Sequence, residues 1–504
     1  MESVLNVFNE KIFDRKKYYF YIFLFVAFIS TAEKSFVGIP KKAIIFMSVI
    51  SFFIVFCWSK SIEKNTFVIS LVFGILFSLM SPVFDVWDEP AHFTRVQYIS
   101  EGHLYLTNNK EDHVVSKDEK WLEEKSKFDS KDKDALPNIF EMKLWEEKHD
   151  KETEYNKLVP VTNSYGTIAY FPSLLGYEVG KVLTNGNLGV MFYLGRIFNA
   201  IFYSLCAFIG VKLAGKWKNI FSFFALQPVI LYAAGSFNQD AFSYGIMLVV
   251  VGLFFKMIQN SEERITYQDL IIYILLCALL AYTKLPYIVL AGLVFFIPYK
   301  KFADKKMFIT MLSGIVFVII ISGLWFLSYS KIEGLPSRYE DVDPGRQVEY
   351  ILNNFKNFIG ILFTGIYTTI TKYGQLSSYG WDRKGSHVLA IINLIFIGIV
   401  PVFPMKDVEK VSKWTKFGVF VITFLISILI YLSMYLTWSN VGRQIIMGVQ
   451  GRYFVGVLFL LPIMLNYSKV VGNITENKYT KYTPQVMALL LLIFAIASRI
   501  GIYY

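Results

Sequence analysis

The chain has 504 residues, of which 55% are hydrophobic and only 18% charged, with a formal net charge of +11. That is too apolar for a soluble domain to hide in one core, so lipid is the expected solvent. The Lys and Arg residues sit in short loops between apolar runs, a placement that fits membrane topology and argues against a nucleic-acid-binding face.

The apolar runs are about 17 to 25 residues long, the length an α-helix needs to cross about 30 Å of hydrocarbon. They do not alternate as barrel strands do. The expected fold is therefore all-α and integral to the membrane, a polytopic helical bundle. Cys57, Cys206 and Cys277 lie inside apolar runs, which leaves neither a disulfide framework nor a CxxC metal site.

The first unit, 1–84, contains spans near 18–36, 42–58 and 66–84. No small-residue cleavage site follows the first run, so that helix is expected to be retained. Arg15, Lys16 and Lys17 before the first span, with Lys60 and Lys64 after the second, put the N-terminus in the cytoplasm, although Lys41 and Lys42 oppose this. Residues 85–187 then fall outside. They comprise a polar region with a charge-rich, solvated and partly helical insertion at 108–157, then a juxtamembrane helix at 166–183 on the outer surface.

The central unit, 188–328, holds spans near 188–214, 219–235, 241–259, 267–283, 285–299 and 307–328, with Lys212, Lys216, Lys218, Lys256 and Lys300 to Lys306 inside. A second external unit, 329–387, carries an interfacial or re-entrant helix at 352–370. The last unit, 388–504, has spans near 388–404, 417–436, 453–467 and 485–503. Lys406, Lys410, Lys413 and Lys416, and then Lys469, Lys478 and Lys481, are inside. The sum is about thirteen transmembrane helices with extracytoplasmic juxtamembrane helices. No internal repeat is visible, which weighs against a transporter built from inverted halves.

Three segments have the residue types that chemistry needs. In DVWDEPAHF, 85–93, three acids and a histidine follow the end of a span. Pro90 suits a first helical turn, and three- or four-residue spacing puts Glu89 or Asp88 on one face with His92. Such a carboxylate serves as a general base, or Asp88 and Glu89 together hold a divalent cation, Mg or Mn. The plain alternative is an acidic loop with a capping Asp. His92, His103, His113, His149 and His387 match no zinc spacing, and neither a Walker A motif nor a G-x-S-x-G elbow occurs.

In GRQIIMGVQGRYF, 442–454, Arg443 and Arg452 offer planar donor forks beside glycines that let backbone N–H groups approach a phosphate. Snorkelling at the interface is the alternative for both. In QPVILYAAGSFNQDAF, 227–242, a polar turn puts Asn238 and Asp240 at a cavity with Asp85, or Asp240 simply caps a helix. Lys284 and Arg196 are cations in apolar surroundings that need a partner, either a lipid phosphate or a packing neighbour.

WDEPAHF at 87–93, SFNQD at 236–240 and GVQGRYF at 448–454, in that order and over most of the chain, resemble the bacterial membrane proteins grouped as domain of unknown function 2142. That family in turn resembles the glycosyltransferase C superfamily, which includes protein O-mannosyltransferases and the aminoarabinose transferase of lipid A. The resemblance implies a GT-C-like fold in the bacterial cytoplasmic membrane. It implies an inverting transfer of sugar, outside the cytoplasm, from a polyprenyl-phosphate-linked donor to a cell-envelope glycan, polymer or lipid acceptor. It matches Asp88 to the base, Glu89 to the second acid of an Asp-Glu pair, and His92 to an orienting role. Arg452, with Arg443, would stabilise the leaving lipid phosphate. The superfamily's acidic loop follows its first membrane helix, whereas here two more apolar runs precede that helix. Two other classes compete: a flippase or transporter of lipid-linked saccharides, and a glycan polymerase or ligase. The first needs charges inside several spans, which are sparse, and the second needs no Asp-Glu pair.

Overall fold

The computed structural model describes residues 9–36, 41–126, 143–259, 262–332, 341–372, 379, 387–403, 411–465 and 480–503. Lys406, Lys410, Lys469 and Lys478, and residues 127–142 of the charge-rich insertion, lie outside the described residues. In chain order the helices are α1 (Lys16–Phe36), α2 (Lys41–Cys57), α3 (Ile62–Met80), α4 (Glu89–Ser100), α5 (Asp118–Ser126), α6 (Phe171–Leu183), α7 (Leu188–Leu213), α8 (Lys218–Ala225), α9 (Pro228–Ala234) and α10 (Asp240–Ile258). They continue with α11 (Tyr267–Ala281), α12 (Lys305–Tyr329), α13 (Pro344–Asn353), α14 (Phe355–Thr371), α15 (His387–Ile399), α16 (Lys413–Trp438), α17 (Val455–Leu458), α18 (Leu461–Met464) and α19 (Thr483–Tyr503).

Six of these, α3, α7, α10, α12, α16 and α19, are long and apolar enough to cross a bilayer. Side-chain caps start several of them: Ser61 accepts from Lys64 N, Asn187 from Val190 N, and Asp304 from Met307 N. Other expected crossings take different forms. The run 285–299 is a 3₁₀-helix, Leu285–Phe296, which at roughly 2.0 Å per residue reaches farther than an α-helix of equal length. The runs 219–235 and 453–467 are broken, the former at Gln227-Pro228 between α8 and α9, the latter into short turns with Pro462 at the start of α18. Broken helix is tolerated in a membrane where protein surrounds it, and every residue from Asn219 to Leu248 is buried.

Burial sorts the spans. The apolar windows of α10 and α19 are 83% buried, whereas that of α12 is 22% buried, so α10 and α19 form the centre and α12 faces lipid. Glycines let the central helices meet backbone to backbone: a Cβ on Gly252 of α10 would lie 2.4 Å from Gly210 O of α7.

The helix expected at 166–183 is α6, which packs antiparallel along α7. A Cβ on Gly176 would strike Leu194 O, and one on Gly180 would strike Met191. The charge-rich insertion is partly helical, as α5, and adds an antiparallel pair, β1 (Val114–Ser116) with β2 (Thr153–Tyr155), in the register Val115 to Glu154.

Candidate functional site

The turn between α3 and α4 sets the geometry. Phe84 and Asp88 both adopt left-handed backbone conformations, φ 61° and 59°, which non-glycine residues hold only when surrounding structure enforces it. The acids Asp85, Asp88 and Glu89 consequently part company.

Glu89 turns inward. It and Arg196 are fully buried, joined by Arg196 Nε to Oε1 at 2.8 Å and Nη2 to Oε2 at 2.5 Å, and Phe237 N donates to Oε1. The other three guanidinium hydrogens go to Ser78 O, Ser81 O and Pro82 O. All five donors of Arg196 are thus used. This corrects two expectations, because Glu89 is fully buried against Arg196 and Arg196 has no hydrogen left for a phosphate. Instead the pair fastens the end of α3 to α7.

Asp85 also turns inward. Its carboxylate takes hydrogen bonds from Arg499 and Tyr503 of α19, and from Tyr232 OH at 2.9 Å. It is an internal ion pair rather than part of a cavity wall. Asn238 is a joint between motifs: its Nδ2 donates to Trp87 O at 3.0 Å and its Oδ1 accepts from Asp240 N.

Asp88 alone remains open, with its side chain 40% exposed. It occupies the N-cap position of α4 but makes no side-chain capping bond. Arg452 Nη2 holds its Oδ2 at 2.7 Å, while Arg452 Nε is fixed by Gln450 Oε1 and the guanidinium lies over Trp87, 4.8 Å from the ring centre. Arg452 Nη1 stands 4.0 Å from Asp240 Oδ2, and Lys284 Nζ bonds Asp240 Oδ1 at 2.5 Å. Tyr244 OH bridges Asp240 Oδ2 and Arg452 O. The result is a chain of alternating charge, Asp88, Arg452, Asp240, Lys284, with Asp88 at its open end.

His92 lies one turn behind Asp88. Its Nδ1 meets Tyr170 OH at 2.8 Å, its ring packs on Tyr165, and burial pushes its pKa down to about 4. It is neutral at ordinary pH and holds the 165–170 segment beside the site. Arg443, expected to join the phosphate site, is exposed on its turn and donates to Asn440 Oδ1. Gly442 N, expected to face an anion, donates to Gln347 Oε1.

Asp88 and Glu89, the acids that would hold Mg or Mn, do not converge, since each faces a different arginine. Among the described residues no group of three or more His, Cys, Asp or Glu is placed to hold a metal ion. The site also has members that the sequence did not single out: Gln450, Tyr244 and Trp87 in contact, and Tyr165 close by. Gln450 and Trp87 lie inside the motifs already marked. Tyr244, one turn beyond Asp240, carries the i, i+4 signal that would have found it.

Fold and site together define a helical membrane protein with a polar, charge-paired centre at one end of its bundle. The chain belongs to the family described as predicted membrane protein, domain of unknown function 2142, whose model matches residues 71–461. No curated protein and no solved structure matches it.

Proposed function

We propose that the protein is a glycosyltransferase of GT-C type that moves a sugar from a polyprenyl-phosphate donor to a cell-envelope acceptor on the outer side of the bacterial cytoplasmic membrane. The observation that carries this reading is the open Asp88 carboxylate, held at 2.7 Å by Arg452 from a loop more than 360 residues away. Asp88 takes the proton of an acceptor hydroxyl as its oxygen attacks the anomeric carbon. The bond to the phosphate oxygen breaks on the opposite face, with inversion, and the lipid phosphate leaves as an anion. Arg452 Nη1 and Lys284 Nζ supply positive charge where that anion forms, in surroundings drier than bulk water. Glu89 and Arg196 are positioning residues that fix the turn carrying Asp88. The remaining topology, about thirteen crossings with the N-terminus inside, belongs to the same reading and follows the basic loops.

The test is transfer in membranes containing the wild type or Asp88→Asn, supplied with a panel of polyprenyl-phosphate sugars. Transfer by the wild type alone is expected. Equal transfer by both proteins removes Asp88 from the mechanism. No transfer by either, alongside movement of lipid-linked sugar across the bilayer, replaces the transferase with a flippase.

A further inference from the structure

Four arginines of the described residues have residue exposures of 5% or less: Arg95, Arg196, Arg452 and Arg499. Three are matched by an acid, Glu89, Asp88 and Asp85 respectively. Among the described residues Arg95 has no carboxylate within ion-pair distance. It is 2% exposed, and its Nε and Nη1 have no hydrogen-bond partner. Its one hydrogen bond, Nη2 to Thr167 Oγ1 at 3.4 Å, is at the outer limit of that interaction, and the guanidinium also stands over the Tyr98 ring, 5.4 Å from the ring centre. A buried guanidinium with four of its five N–H groups unmatched is expensive unless an acceptor arrives.

Position says where such an acceptor belongs. Asp88, His92 and Arg95 follow the i, i+4, i+7 pattern on one face of α4. Arg95 therefore stands about 10 Å along the axis from Asp88. That face looks onto the 165–170 segment, where Tyr170 meets His92 and Thr167 meets Arg95. Thr167 also donates to Leu104 O, at the base of a tip whose Tyr105 is 80% exposed. Thr167, which the guanidinium touches, is itself partly exposed, and Leu104 is 55% exposed.

We propose that Arg95 is an anion subsite for the acceptor. It binds an oxyanion, phosphate or carboxylate, on a saccharide whose hydroxyl is presented to Asp88. The inference rests on the transferase reading and narrows its acceptor to an anionic glycan. A phosphate and a carboxylate share the chemistry that Arg95 recognises, charge-assisted N–H to oxygen bonds.

The experiment is thermal unfolding of the full chain in detergent, titrated with inorganic phosphate, glucuronate, or glucose as the neutral control. The wild type is expected to gain thermal stability with phosphate or glucuronate, not with glucose, and the stronger of the two names the acceptor's group. Arg95→Met is expected to unfold at a higher temperature than wild type without anion, and to lose the response. Arg95→Lys, should the methionine variant not fold, is expected to respond on the order of tenfold more weakly, because an ammonium lacks the planar fork. The assay contains no donor, and Asp88→Asn, which ends transfer, should keep the anion response, so the subsite and the chemistry fail separately. An equal response in wild type and the Arg95 variants, or no anion response in the wild type, overturns the subsite.

Discussion

Replacing Glu89 by Gln keeps the shape of the side chain and removes its charge. Glu89 and Arg196 have no exposed surface, so Arg196 is left as a buried cation with only carbonyl partners. Breaking such a pair from one side costs about 3 to 5 kcal/mol. Gln retains one acceptor oxygen for Arg196 Nε or Phe237 N, which puts Glu89→Gln at the lower end. Arg196→Met is worse. It strands the carboxylate and also leaves Ser78 O, Ser81 O and Pro82 O without their donor, each worth about 1 kcal/mol at the least. The total, about 6 to 8 kcal/mol, consumes most of the 5 to 15 kcal/mol that ordinarily separates folded from unfolded protein. Size-exclusion chromatography and thermal unfolding in detergent should show Glu89→Gln as monodisperse with a lowered midpoint, and Arg196→Met as aggregated. A Glu89→Gln protein with wild-type stability and no transfer would refute this reasoning, because Glu89 would then have to act chemically.

Transfer should persist in chelator, since Asp88 and Glu89 face separate arginines; loss of activity on metal removal, restored by Mg or Mn, would contradict that arrangement. Two buried groups, His92 and Glu119 of α5, should make opposing contributions to the pH dependence of stability between pH 4.5 and 6.5. His92, lowered from 6.5 to about 4 by burial, stays neutral when folded, so its term falls as pH drops from 6.5 to 4. Glu119, raised from 4.5 to about 7 by burial, stays protonated when folded, so its term falls as pH rises from 4.5 to 7. Each is worth up to about 3 kcal/mol. Denaturation profiles should therefore slope downward with pH in His92→Gln and upward in Glu119→Gln, and parallel profiles for both variants would sink the idea. Finally, Gly252→Leu should prevent α7 and α10 from meeting and abolish folded protein, while Gly323→Ala on α12, where a Cβ meets nothing within 4 Å, should be neutral or slightly stabilising by helix propensity; expression and unfolding midpoints compare them.

The sequence marked three segments because polar residues inside an apolar chain need a reason wherever they occur. WDEPAHF, SFNQD and GVQGRYF do meet, through Asn238 to Trp87 O and Arg452 to Asp88. What periodicity does not carry is the partner across a long sequence gap. It offered Glu89 or Asp88 as the neighbour of His92 on one face, yet said nothing of Arg196, 107 residues on, to which Glu89 turns. The left-handed backbone at Asp88, which sends adjacent acids in opposite directions, leaves no mark in a pattern of residue types. Arg499 went unnoticed because a single cation near the end of an apolar run looks like an interfacial anchor. The broken segments 219–235 and 453–467 read as ordinary spans, since hydropathy counts apolar residues and is blind to whether protein or lipid surrounds them.

The pairing of Asp85 with Arg499 has a consequence for how the molecule is made. Residue 85 leaves the ribosome more than 400 residues before its partner, at roughly 5 to 20 residues per second. For that interval the acid at the head of the motif lacks its counter-charge, and α19, which fills the middle of the bundle, is absent. The helices already made must wait in the bilayer without the partner that Asp85 has in the finished fold. Closing of the bundle's centre thus waits for α19, and a nascent chain halted before residue 499 is a natural target for membrane proteases.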